Sequence, residues 1–156
     1  LGIVLYGLSP SNEVTDPNLI PVMRLKSRIA QIHTVHAGDF VSYGAEFRAA
    51  TETTVATIPI GYADGFIRAY KSGTVMIGGR AAPLVGRICM DQCMFEVDIR
   101  SRVGQQTLDP QIGDVVQIAG PNAHVDTSID TMARKAGTIQ HEVTIGLSHR
   151  MPRYYV

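Results

Sequence analysis

The sequence predicts a mostly-β domain, a small barrel or sandwich that acquires one or two short helices only near its end. Three observations carry this reading. Short runs rich in apolar and β-branched residues (Thr74–Ile77, Ala82–Val85, Cys93–Val97 and Val115–Ile118) are set apart by glycine-containing turns and loops. Helical pattern is absent until Ser128. The 156 residues, 45% hydrophobic and 18% charged, suit one soluble globular domain with a core of its own.

Leu1–Gly7 reads as the middle or end of a strand, and Leu8–Pro21, with Pro10, Pro17 and Pro21 among Ser, Asn and Asp, as a linker. From Pro21 to His36 polar and apolar residues alternate. Ile32 breaks the phase, which predicts a strand with an irregularity near Ala30. Ala37-Gly38-Asp39 is a turn and Phe40–Tyr43 a short strand. Ala45–Ile60 reads as the longest strand, and Gly78-Gly79 as a hairpin turn. Arg100–Asp114 is polar and weakly patterned, an extended loop. Ser128 is placed to cap a helix ending at Ala136, with Arg134 and Lys135 in its last turn and Gly137 beyond it. Gln140–Ser148 suits a second short helix and Arg150–Val156 a last strand.

Fourteen basic and fourteen acidic residues cancel, so nothing here attracts a phosphate backbone or an anionic lipid surface. No apolar run approaches the roughly 20 residues that span a bilayer. The start at Leu1, without initiator methionine or signal-like segment, fits a piece of a longer protein. Cys89 and Cys93 are expected as reduced thiols of a cytoplasmic protein. Their spacing, with no second Cys or His pair nearby, gives no structural zinc site. His33 and His36 would face opposite sides of a strand. No phosphate loop, dinucleotide fingerprint or hydrolase motif is present.

The chemistry lies in three strings. Val41-Ser42-Tyr43-Gly44 offers a phenol beside a glycine that leaves room for close approach. A phenol of ordinary pKa near 10 is a poor base unless a cation stabilises phenolate, and taken alone Tyr43 reads as a wet strand-end tyrosine. Gly61-Tyr62-Ala63-Asp64-Gly65 reads as a turn after a buried strand, which would put Tyr62 on a rim. In Gly86-Arg87-Ile88-Cys89-Met90-Asp91-Gln92 a charge follows an apolar run, and Cys89 and Met90 suit core packing. Arg68 is either a solvated charge or part of a path for an acidic substrate.

In this order, and followed by Ser128-Ile129-Asp130-x-x-Ala133 and Arg150-Met151-Pro152-Arg153, the strings resemble the C-terminal domain of the alanine racemases over nearly the whole chain. The resemblance implies a homodimeric enzyme dependent on pyridoxal 5′-phosphate (PLP). A (β/α)₈ barrel, absent here, precedes this β domain, and each site joins one subunit's barrel to the other's β domain. Residues 1–10 would then be the end of that barrel or the strand leading out of it, and 11–156 the β domain. Tyr43 matches one of two catalytic bases; the lysine that anchors PLP, serving the opposite face, belongs to the missing barrel. Tyr62 matches a tyrosine at the substrate entrance, and Met90 the residue whose backbone N–H holds the substrate carboxylate. Arg68, Arg87 and Asp91 match residues of the substrate corridor. Gly2 and Ile3 match backbone donors to the PLP phosphate, and an arginine facing the pyridine nitrogen would lie just before Leu1.

One departure concerns His141, which stands where the family has a tyrosine that contacts the phosphate and narrows the pocket. Histidine can still donate to a phosphate, and a looser selectivity for alanine is expected. Arg100–Asp114 is a longer loop than usual for the family. The leading reading is thus the C-terminal half-site of a bacterial, cytoplasmic enzyme that interconverts L- and D-alanine for peptidoglycan, inactive as an isolated fragment. The alternatives are a racemase of broader specificity on the same fold, and a β-barrel binding or dimerisation module without chemistry. Partners other than alanine and a second subunit, nucleic acid or membrane, find no support in the composition.

Overall fold

The computed structural model describes residues 2–11, 13, 16–97, 109–121 and 127–155. Among the described residues, nine strands precede two helices: β1 (Leu25–Arg28), β2 (Gln31–Val35), β3 (Phe40–Val41), β4 (Phe47–Arg48), β5 (Thr53–Ile58), β6 (Thr74–Ile77), β7 (Arg80–Val85), β8 (Cys93–Glu96), β9 (Val115–Ala119), α1 (Ile129–Ala136) and α2 (Gln140–Ile145). The mostly-β class with late helices is as the sequence predicted.

Seven strands form one antiparallel sheet in the order β1-β9-β6-β7-β8-β5-β2. Its two edges, β1 and β2, are consecutive in the chain. Ile29 donates to Asp114 O on one side, and Ala30 donates to Thr57 O on the other. The sheet therefore curls until one bent segment, residues 25–35, supplies both of its edge strands. The irregularity expected near Ala30 is this change of partner.

The interior is apolar. Ile29, Ala56, Ile58, Val75, Ile77, Cys93, Phe95, Val116 and Ile118 are buried together, and Ile129, Met132 and Ala133 of α1 pack against them. Inward and outward positions alternate along β5 and β8. On β5, Ala56 and Ile58 face this interior while Val55 faces outward. The outward face is not bare. Residues 36–49, including the β3–β4 hairpin, fold over it and build a second, smaller core from Val35, Val41, Ala49, Val55, Val85, Cys89 and Met94, with Phe47 packed alongside.

The predicted Gly78-Gly79 turn joins β6 and β7, both glycines having positive φ. The cap on α1 is also as read: Ser128 Oγ accepts from Thr131 N, and Gly137 (φ 70°) donates to Ala133 O and Arg134 O.

Four expectations need correction. Gly2–Tyr6 is a 3-10 turn, not a strand, and it buries Ile3 while leaving Leu5 exposed. A five-residue apolar run fits either period, and positive φ at Gly2 and Gly7 fixes the tighter one. Ala45–Ile60 is not one strand: a turn at Tyr43–Ala45, then β4, precede β5. Gly38 N donates to Ala49 O and Ala49 N to Asp39 O, bending the chain back over the second core. Phe40–Tyr43 pairs only at Phe40 and Val41. Arg150–Tyr155 forms no strand, because Arg150 is tied to two carboxylates and Pro152 offers no N–H. The loop expected at Arg100–Asp114 falls mostly outside the described residues.

Candidate active site

Loop 86–92, between β7 and β8, is the hub on which both tyrosine turns rest. On one side lies the turn of Tyr43. Ser42 (φ 69°, ψ 179°) and Ala45 (φ 51°) are the non-glycine residues with positive φ among those described, and they flank Tyr43. Such backbone is strained and persists only where its surroundings hold it. Here Ser42 Oγ donates to Arg87 O at 2.8 Å. A Cβ on Gly44 would lie 3.0 Å from Arg87 Cζ, so the guanidinium is seated against that glycine. Arg87 Nη2 pairs with Glu46 Oε1 at 2.5 Å. The Tyr43 side chain projects outward, 73% exposed.

On the other side lies the turn of Tyr62. Tyr62 N donates to Cys89 O and Ala63 N to Met90 O, each at 3.0 Å. A Cβ on Gly61 would overlap those same two carbonyl oxygens, so only glycine permits the approach. Asp64, though charged, is buried. Its Oδ2 accepts from Gly61 N at 2.9 Å, and its Oδ1 pairs with Arg150 Nε at 3.0 Å. Arg150 Nη2 also reaches Asp91 Oδ1 at 2.6 Å. The segment after α2 closes this corner, with Ser148 N donating to Asp64 O.

Electrostatics follow from these pairs. The hydrogen bond from Arg87 holds the Glu46 carboxyl below its usual range, with Arg68 and Lys71 adding to the effect. The pairings with Glu46 and with Asp91 and Asp64 raise Arg87 and Arg150 respectively. Beneath the loop, burial pushes the Cys93 thiol far up, and Cys89 and Asp64 push the same way.

The structure thus gathers Arg87, Met90 and Asp91 on one loop, with Tyr62 bonded to it and Tyr43 held against it through its neighbour Ser42. Tyr62 and Met90 are exposed beside it. Arg68 heads the 3-10 turn Arg68–Tyr70 and faces Glu46 electrostatically. His141 is an exposed residue of the first turn of α2, the helix whose end abuts Gly65. Gly2 and Ile3 show no bond to loop 86–92; the bond anchoring their turn runs from Val22 N to Tyr6 O. His36 pairs with Glu52, and among the described residues no three His, Cys, Asp or Glu side chains gather as metal ligands.

Sequence reasoning missed Ser42, Glu46, Asp64 and Arg150. Asp64 reads in the sequence as an ordinary turn residue, and Arg150 carries no local signal beyond the closing Arg-Met-Pro-Arg string. Their roles depend on partners 45, 41 and more residues away in the chain, which no local pattern exposes.

A family model described as "Alanine racemase, C-terminal domain" matches residues 22–155. The chain belongs to the alanine racemase C-terminal domain family. It is 44% identical to the alanine racemase of Clostridium novyi and 46% identical to that of Desulfovibrio desulfuricans, with 99% of this chain covered in each case. It spans only 39% and 40% of those proteins. Among solved structures, the alanine racemase of Bacillus anthracis with bound L-Ala-P superposes with a TM-score of 0.88. It is 34% identical, covering 99% of this chain and 38% of that one. The alanine racemase of E. faecalis superposes with a TM-score of 0.87 at 34% identity, covering 99% of this chain and 40% of that one.

Proposed function

We propose that this chain is the C-terminal half-site of a PLP-dependent alanine racemase, with Tyr43 one of two bases that serve opposite faces of the substrate Cα. The observation that carries this is the Tyr43 phenol, projecting from a strained turn that is braced by the same loop that carries Met90. The relatives' names, and the L-Ala-P held by the Bacillus anthracis enzyme, support alanine as substrate.

The chemistry fits. Bound PLP supplies an electron sink that makes the Cα–H of an amino acid acidic enough for a phenolate to remove. Tyr43 holds or returns the proton at its Oη, and the Arg87 guanidinium seated against Gly44 helps hold the turn that presents it. Met90 orients the substrate. The Cys89–Met90 peptide is trans, so locking Cys89 O onto Tyr62 N turns the Met90 N–H the opposite way, outward for a carboxylate. Tyr62 lines the entrance, and Arg68, Arg87 and Asp91 the corridor to it. Gly2 and Ile3 open a 3-10 turn whose first N–H groups have no acceptor within the turn. The space beside Gly2 is clear, which suits a phosphate. His141, exposed on α2, is the side-chain donor we assign to the same phosphate.

The remaining assignments follow from this reading: residues 1–10 as the join from a (β/α)₈ barrel that supplies the PLP lysine, 11–156 as the β domain, a cytoplasmic homodimer sharing its sites, and D-alanine for peptidoglycan as product.

The test is α-hydrogen exchange in deuterated water with the full-length, PLP-loaded protein and its Tyr43→Phe variant, given L- and D-alanine separately. Exchange from one enantiomer should fall by about 10²-fold or more, the scale of losing a positioned base, and persist from the other. Exchange and interconversion unchanged from both would remove Tyr43 from the mechanism. A wild-type protein that neither exchanges nor racemises alanine would favour the binding module.

A further inference from the structure

The strongest unassigned feature is the guanidinium of Arg150, which holds two carboxylates from two different site-bearing segments. Its Nε meets Asp64 Oδ1 at 3.0 Å and its Nη2 meets Asp91 Oδ1 at 2.6 Å. These partners are unequal. The Asp64 side chain is only 7% exposed and caps the Tyr62 turn through Gly61 N, so its charge needs a counter-ion. The Asp91 side chain is 57% exposed and directly follows Met90. As a surface pair, Arg150–Asp91 would contribute little to stability. Its significance lies in position: an unpaired carboxylate here would stand one residue from the N–H that faces an incoming carboxylate.

We infer that Arg150 is a positioning residue that sets the substrate-carboxylate site by neutralising Asp91 while anchoring itself on buried Asp64. This rests on the role of Met90 proposed above. The guanidinium's fork is what allows one side chain to serve both carboxylates; a lysine, a single point charge, would serve one at a time. With Arg150 the three side chains carry one net negative charge, and without it two, which repel a substrate carboxylate more strongly. The effect therefore falls mainly on KM rather than kcat, and it is screened by salt.

The full-length, PLP-loaded protein is compared with Arg150→Met, Arg150→Lys, Asp91→Asn and the double variant Arg150→Met/Asp91→Asn. Racemisation kinetics are measured at low and high ionic strength. Amide hydrogen exchange is followed in a peptide spanning residues 60–66 and in one spanning β8. Arg150→Met should raise KM about tenfold at low salt, the scale of one nearby charge at a partly exposed site. The rise should shrink in high salt, with kcat within about threefold and the β8 peptide unchanged. Asp91→Asn in the same background should recover much of the lost KM, and Arg150→Lys should fall between wild type and Arg150→Met. In the peptide of residues 60–66, exchange should quicken in Arg150→Met.

A KM that does not move, a rise insensitive to both salt and Asp91→Asn, or loss of β8 protection alongside would each reduce Arg150 to a structural tie and overturn the inference. If Arg150→Met does not fold, Arg150→Lys decides: a KM that does not rise at low salt, or a rise relieved neither by high salt nor by added Asp91→Asn, overturns the inference. A wild-type protein without racemisation counts against the proposed function, whereas the exchange of residues 60–66 still decides whether Arg150 holds the Tyr62 turn.

Discussion

The two tyrosine turns reach the same rim by opposite means. The turn of Tyr43 is held by strain: two non-glycine residues in left-handed backbone, one side-chain hydrogen bond to Arg87 O, and an ion pair that is itself partly exposed. The turn of Tyr62 is held by satisfaction: two backbone hydrogen bonds to loop 86–92, a buried carboxylate with two partners, and a glycine pressed onto carbonyls. The difference suits their proposed tasks. The proposed base is presented on a spring-like turn over a small secondary core. The tyrosine proposed to line the entrance is locked to loop 86–92, the loop that carries Met90.

The largest expected effect breaks the Tyr62 side. In Gly61→Ala the new methyl meets backbone oxygen atoms that cannot swing away, so the turn must separate from loop 86–92. A loss of about 3 kcal/mol or more is expected. In Gly44→Ala the nearest atom is the end of a flexible arginine, and the cost is mainly the positive φ of 76°, about 1–2 kcal/mol. Denaturant unfolding of both variants checks the order. A Gly44→Ala loss equal to or larger than that of Gly61→Ala would mean that the Tyr43 turn is the more tightly built of the two.

Alkali should distinguish the sides as well. Cys93 lies in the main core with Asp64 and Cys89 facing it electrostatically, and burial raises its thiol well above the ordinary value of 9.0. Buried Tyr70 is raised too, by burial and then by Glu142. A raised folded-state pKa means that the unfolded chain releases its proton first. The stabilisation is therefore complete below about pH 9 and declines as pH rises beyond it, by up to about 1.4 kcal/mol per pH unit for the thiol. Cys93→Ala should lower stability at pH 7.5 but flatten the decline between pH 9 and 10.5. An equally steep decline in the variant would place the alkaline sensitivity elsewhere.

Much of the fold was legible in the sequence because its elements are local. The hairpin at Gly78-Gly79 needs only two adjacent glycines, and α1 carries its own cap at Ser128 and its own stop at Gly137. The misread segments depend on distant partners. The stretch 45–60 has the composition of one strand, yet Ala49 bends it by bonding back to Gly38 and Asp39. Arg150–Tyr155 has β-forming tyrosines, yet Arg150 is claimed by Asp64 and Asp91. At the site, the residues that carry motifs could be named, whereas those that hold them in place could not. Nothing in Val-Ser-Tyr-Gly announces that the serine is forced into glycine-like backbone.

That serine supplies the smallest and sharpest test of the comparison. If the Tyr43 turn is held under strain, the strain resides in the Cβ of Ser42, whose φ of 69° and ψ of 179° belong to a region almost reserved for glycine. Ser42→Ala keeps the Cβ and loses the bond to Arg87 O, so it should cost about 1 kcal/mol. Ser42→Gly loses the same bond but relieves the strain, at the expense of a more flexible unfolded chain. The glycine variant should therefore be more stable than the alanine variant by about 1 kcal/mol, although alanine is ordinarily the better residue in folded backbone. It should also be the poorer racemase, because a relaxed turn no longer holds the phenol in one place. If the alanine variant is the more stable, Ser42 stores no strain, and the two tyrosine turns are held by the same kind of force.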